Sequence, residues 1–207
     1  MRLLLTGFEA FGGDRVNPTE AVVAALHGQV VAGAQVIGAV LPVDAARAPG
    51  AVRALLDEHQ PDAVLLTGVA RGRAQLALER VAVNVQDAAL PDNAGRRLSG
   101  EPVVPGAPDA YLSTLPLPDV LAAWRAHGLP GYVSNTAGLY LCNAAMFAAR
   151  HHLGERVPCG FLHVPANEWM ALDARPGEVL AYLPQAEIER GVRVALAAVA
   201  AGVRAPA

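Results

Sequence analysis

The chain contains no lysine: every one of its 16 Lys+Arg positions is arginine. That absence excludes Schiff-base chemistry, a pyridoxal phosphate anchor, a Ser–Lys dyad and the phosphate-binding lysine of a Walker loop. Cysteine is scarce as well. Cys142 and Cys159 are the only two, too far apart to form a Cys-x-x-Cys pair for redox or zinc chemistry. Charged residues make up 17% with a formal net charge of -3, and no basic block stands out. Without clustered arginine a phosphate-tracking surface is not expected, so nucleic acid is not an expected partner. Long apolar runs are missing too: Val194–Val203, bounded by Arg193 and Arg204, is too short to cross a bilayer, and the start of the chain does not read as a signal peptide. The expectation is a cytoplasmic chain with free thiols and no membrane association.

Metal ligands are equally thin. His151 and His152 are adjacent and cannot face one ion from a helix, and no His-x-x-x-His pair exists. His27, His59 and His127 fall near expected helix ends and read as solvated caps. The segment GFEAFGG does not match the GxGxxG dinucleotide fingerprint.

What is present is a 53% hydrophobic sequence of 207 residues, the size of one compact domain, expected over 1–207. Leu3–Leu5 reads as a short buried strand. Asn17-Pro18-Thr19-Glu20 is a helix start, with Asn as N-cap and Pro at the first helical position, predicting a helix to about Leu26. Strands are predicted near Val36–Leu41, Ala63–Thr67, Gln75–Asn84, Tyr132–Ser134 and Gly160–Val164. Further helices are predicted from Asp44 to Glu58, over Asp119–His127, from about Cys142 to His152, and from Gln185 onward. Asp87–Pro118 shows no period and predicts a long functional loop. Strands alternating with helices imply an α/β domain with a largely parallel sheet.

Three residues could carry chemistry. Cys142 falls where a loop turns into a helix; free N–H groups and the helix dipole there favour thiolate, and the same N–H groups suit an oxyanion. A buried structural thiol fits the same position. His163 ends a strand just before Pro165, where ligand sites lie in parallel sheets; it reads as a base toward a thiol or as a satisfied core histidine. Glu79 lies on the apolar side of its strand with Ala77, Val81 and Val83 and must be paired, either with an imidazole or in a structural ion pair with Arg71 or Arg73.

Four stretches taken together, TGFEAFGG with NPTE, GRAQLALERVAVN with PDNAG, SNTAGLYLCN, and GFLHVP, resemble the pyroglutamyl peptidase I (pyrrolidone-carboxylate peptidase) family of cysteine peptidases, in order from about Leu3 to Pro165. The resemblance implies a Glu–His–Cys triad on Glu79, His163 and Cys142, with no metal or cofactor. It implies a three-layer α/β/α single domain with a twisted, mostly parallel mixed sheet, assembled as a homotetramer. The implied substrates are peptides or proteins bearing an N-terminal pyroglutamate. Its lactam is flat and uncharged and suits an apolar, aromatic pocket. Phe8 and Phe11 are expected as walls, Leu90 and Tyr140 as further pocket residues, Asn17 near the triad, and the Ala89 N–H as an oxyanion donor. Ala10, Ala89 and Ala166 depart from the Pro, Arg and Tyr common in the family. Two competing readings are a nucleoside phosphorylase-like enzyme on a related fold and a non-catalytic relative that binds pyroglutamyl peptides.

Overall fold

The computed structural model describes residues 1–204, so the last three positions of the expected 1–207 domain lie outside the described residues. The elements run β1 (Arg2–Phe8), α1 (Pro18–Leu26), β2 (Val30–Val31), β3 (Ala34–Leu41), α2 (Ala48–His59), β4 (Ala63–Val69), β5 (Leu76–Glu79), β6 (Val81–Val83), β7 (Gln86–Asp87), β8 (Ser99–Glu101), β9 (Ala110–Leu112), α3 (Leu117–Ala126), β10 (Gly131–Ser134), α4 (Leu141–Leu153), β11 (Cys159–Val164), α5 (Glu168–Leu172) and α6 (Gln185–Arg204). Seven strands form the main sheet in the order β10-β5-β11-β4-β1-β3-β2. All neighbours are parallel except β5 against β11 and β2 against β3.

Alternation along β1 divides the core. Leu3 and Leu5 pack with residues of α1, α3 and α6, including Val22, Trp124 and Leu196, on one face. Leu4 and Phe8 join Val52 of α2 and Ala145 and Phe147 of α4 on the other. Helices on both faces of the sheet make three layers, as a parallel-rich sheet buried on both sides requires. The central strand β4 is buried at all seven positions, which is why it reads as a continuous apolar run. Gly7 admits α1 close to β1, since a Cβ there would collide with the Thr19 carbonyl.

The start of α1 is as expected: Asn17 accepts from the Thr19 N–H and Pro18 opens the helix. Four expectations are corrected. The second helix begins at Ala48 because Asp44 caps a preceding turn instead, its Oδ1 accepting from the N–H groups of Ala46 and Arg47. Gln75–Asn84 is not one strand: it breaks at Arg80, and its second part, β6, leaves the main sheet to pair with β9. The long segment after Asp87 contains β8 and β9, strands too short to show a period. The five-residue helix α5, capped by Asn167 accepting from the Met170 N–H, was not foreseen.

Candidate active site

Strand order decides which side chains meet. β11 lies between β5 and β4, and the side chains of His163, Glu79 and the Cα of Gly68 share one sheet face, because Glu79 pairs with Phe161, Gly68 pairs with His163, and alternate residues point the same way. The Nδ1 of His163 lies 2.7 Å from Oε1 of Glu79, leaving Nε2 as the nitrogen available for proton transfer. The imidazole also rests against the Phe161 ring, centroids 4.8 Å apart.

The thiol reaches the same face from above. Cys142 is the second residue of α4, a helix that packs on β11 and β4. Its Sγ occupies the space a side chain at position 68 would fill: a Cβ on Gly68 would lie 2.8 Å from it. Gly68 is the parallel partner of His163, so the sulfur lies over the strand next to the histidine's, on the same face of the sheet. Carboxylate, imidazole and thiol therefore form a row across three neighbouring strands. At the head of α4, Tyr140 is the N-cap and supplies no side-chain acceptor, so the first N–H groups of the helix, Cys142 included, stay open to a bound oxygen.

Burial sets the charges. The N–H at the helix start does act to lower the thiol pKa, as expected, but it is outweighed: desolvation, with the nearby Glu79 charge adding to it, pushes Cys142 up to about 12. Desolvation likewise draws His163 below its ordinary range, against the bond and charge of Glu79. For Glu79 burial pushes upward, but His163, Ser134 and Arg73 together hold it below the usual carboxylate range. At neutral pH the row is thus a carboxylate, a neutral imidazole and a neutral thiol.

Glu79 is fully buried and has both partners the sequence offered as alternatives. Arg73 Nη1 donates to the same Oε1 at 2.6 Å. Arg71 is elsewhere, bridging Asp14 at 2.6 Å and Glu178 at 2.9 Å.

Comparison with known proteins places this arrangement. Residues 1–202 match the model of the family described as pyroglutamyl peptidase. The chain belongs to the pyroglutamyl peptidase family. It is 52% identical over 206 residues to the pyrrolidone-carboxylate peptidase of Deinococcus radiodurans, covering 96% of this chain and 94% of that one. The enzyme of the same name from Pyrococcus furiosus is 46% identical over 168 residues, covering 80% of this chain and 81% of the relative. A solved structure of a mutant pyrrolidone carboxyl peptidase from Pyrococcus furiosus superposes with a TM-score of 0.95 at 40% identity, over 98% of this chain and 100% of that one.

The remaining residues expected from the pyroglutamyl peptidase resemblance separate into two groups. Phe11 and Leu90 line a cleft of about 760 Å³ together with Val69 and the charged side chains of Asp14, Arg71 and Glu178. Tyr140 stands beside Phe11, ring centroids 6.0 Å apart, and its hydroxyl donates to the Pro91 carbonyl at 3.2 Å, which ties α4 to the loop bearing Leu90. Ala89 is exposed on that loop, its carbonyl accepting from Arg97. Phe8, by contrast, is in the core with Leu41 and Val43, and Asn17 spends its side chain on the Glu9 carbonyl and on Thr19. Both act as scaffold beneath the site. Ala166 is fully buried with Val69 and Met170, packed against Phe11, so the family position that usually holds Tyr lies under the cleft floor.

Sequence reasoning passed over two buried polar residues that shape the site. Asn143 of α4, next to the thiol, accepts from the Val83 N–H and donates to the carbonyls of Val83 and Val85, clamping the start of the pocket loop to the helix. Asp92 accepts from the N–H groups of Ala45, Ala94 and Arg96; although burial pushes its carboxyl up, those three bonds hold it below the usual range. Its place in PDNAG was the available signal, since an Asp ahead of Asn-Ala-Gly is a turn former.

Proposed function

We propose that the protein is a cysteine exopeptidase that hydrolyses the amide bond after an N-terminal pyroglutamyl residue, with Cys142 as nucleophile, His163 as general base and acid, and Glu79 as its orienter. The observation that carries this reading is the row from Glu79 Oε1 through His163 Nδ1 to a sulfur seated over Gly68, in a chain of this family.

Because thiol and imidazole both rest neutral, proton transfer accompanies attack. Nε2 takes the Sγ proton as sulfur bonds to the scissile carbonyl carbon. The oxyanion accepts from the open N–H of Cys142, with the Ala89 N–H as second donor. Collapse breaks the C–N bond and His163 passes its proton to the leaving amine. Water then gives a proton to His163 and attacks the thioester, pyroglutamate leaves, and the proton returns to Sγ. Glu79 keeps Nδ1 protonated and offsets the transient imidazolium charge. The apolar Phe11, Leu90 and Tyr140 suit the uncharged ring, while Asp14 and Glu178 of the same cleft are already paired with Arg71.

The same reading takes peptides or proteins with an N-terminal pyroglutamate as partners, a cytoplasmic setting, a homo-oligomeric assembly and a single domain over 1–207. Among the described residues, no helix is long and apolar enough to cross a membrane. Exposed Trp169, Leu172, Val179 and Tyr182 supply apolar surface suited to a second copy.

The test is turnover of a fluorogenic pyroglutamyl amide by Cys142→Ala and Cys142→Ser. Each is expected to lose about 10³-fold or more in kcat, with a melting temperature within a few degrees of the parent chain. Near-native turnover by Cys142→Ala overturns the assignment.

A further inference from the structure

We propose that Arg73 is a positioning residue that adds to burial in keeping His163 neutral, by sharing its carboxylate partner, and so extends the reaction to lower pH.

The geometry shows competition, not simple neutralisation. Oε1 of Glu79 takes both the imidazole Nδ1 at 2.7 Å and the Arg73 Nη1 at 2.6 Å, while Oε2 is buried without a hydrogen-bond partner. On a shared oxygen, a protonated imidazole would put two cations against one lone-pair set, so the neutral ring is favoured. Arg73 is fixed for this task. Its Nη2 donates to the Thr136 carbonyl at 3.2 Å, and its guanidinium carbon lies 6.0 Å from the centroid of the Tyr132 ring. The turn 70–75, closed by the Arg73 N–H donating to the Ala70 carbonyl, delivers it.

The groups facing the pair are few. β5 presents Glu79, α4 presents Cys142, β4 presents no charged or titratable side chain, and the turn presents Arg73. β10 presents Tyr132 under the guanidinium and Ser134 in register with Glu79, a hydroxyl that donates to the Thr136 carbonyl and also helps hold the Glu79 carboxyl down. Among the described residues Arg73 is the one fixed cation facing the pair, and its effect on the histidine is repulsive. It rests on the reading of His163 as the base, but its main test does not depend on turnover.

The experiment follows the His163 ring signal by NMR across pH in the full chain, the parent against Arg73→Gln and Arg73→Lys, alongside kcat/KM–pH profiles on the fluorogenic pyroglutamyl amide. In Arg73→Gln the ring is expected to titrate at higher pH than in the parent, and kcat/KM on the acid limb to fall about tenfold, with a smaller loss at alkaline pH. Arg73→Lys, which keeps the charge, should bring the titration most of the way back. Arg73→Met, which keeps an apolar stem beside Tyr132, replaces the glutamine variant if that chain fails to fold. A ring titration unmoved in the neutral variant overturns the proposal, because a purely structural arginine would lower the melting temperature and leave the titration where it was. A parent chain that shows the ring shift yet cleaves no lactam amide refutes the peptidase reading and leaves this one standing.

Discussion

Gly68→Ala should disable the thiol through a single methyl group. Gly68 lies within an extended strand, so alanine meets no backbone strain there and the whole effect comes from contact. The new Cβ would sit 2.8 Å from Sγ of Cys142, and 2.9 and 3.3 Å from Cζ and Cε1 of Phe161. Comfortable separations are about 3.5–4.0 Å, so sulfur and ring must retreat by about 1 Å. Phe161 is fully buried between His163 and the α4 side chains and has little room to give, which leaves the sulfur to move. Misplacing a reacting group by about 1 Å costs about 10²-fold, and that is the expected loss in kcat/KM. Overpacking of this kind costs about 1–3 kcal/mol of stability, a fall of roughly 2–12 °C in Tm for a chain this size. The assay pairs kcat/KM on the fluorogenic pyroglutamyl amide with a thermal melt. Activity within about twofold of the parent chain refutes the reasoning, because it would mean the reacting sulfur does not occupy the space above Gly68.

Glu79→Gln should lower kcat by roughly 10³–10⁴-fold, since an amide can present N–H to Nδ1 and select the wrong tautomer; kinetics with a circular dichroism control checks it. Iodoacetamide should add to one thiol per folded chain, at Cys142, because Cys142 is partly exposed beside a base whereas Cys159 is fully buried; mass spectrometry of the labelled protein counts the adducts. Asn143→Ala removes the partner of three partly buried backbone groups at Val83 and Val85 and should cost about 1–3 kcal/mol, read as a lowered urea midpoint. Activity should persist to below the ordinary histidine range near ~6.5, because the base must be neutral and burial draws its pKa down; a pH profile that breaks above that value contradicts the arrangement. Stability follows the same sign: the depressed His163 contributes fully above its unfolded value and loses that contribution as pH falls through the lower folded one.

How much of this was legible in the chain depends on the range of the interactions involved. The start of α1 could be read because Asn17, Pro18 and Thr19 act within one turn. β4 could be read because a strand buried on both faces needs an unbroken apolar run. The partner of Glu79 could not be read from local pattern, because its meeting with His163 depends on β5 pairing with β11 across 84 positions of sequence; only the family resemblance pointed to it. The two phenylalanines show the same limit. Phe8 and Phe11 stand in one glycine-rich segment, yet the end of β1 carries the first into the core while the second, past the strand, turns to the cleft. The charge state of the thiol was misjudged for a related reason. The helix start is local and visible, whereas the desolvation that outweighs it comes from packing that involves the sheet below.

The one antiparallel neighbour at the centre of the sheet accounts for the depth of the site. β4 and β11 run side by side, so Gly68 and His163 both come near the carboxyl ends of their strands, where a substrate can reach them. A third parallel strand would bring its last residue to that same rim and expose a carboxylate to water. β5 instead runs back against β11: Ala77 pairs with His163, and Glu79 is carried two residues inward to pair with Phe161. The carboxylate is fully buried for that reason, and it meets the imidazole from within while Nε2 is left for the thiol. The turn that reverses the chain, residues 70–75, must then cross the end of β11, and it brings Arg73 within 2.6 Å of the acid. A strand reversal thus supplies the buried base partner and the cation that restrains it in one step, which is why the charges at 73 and 79 are only six residues apart although local pattern alone places neither beside His163.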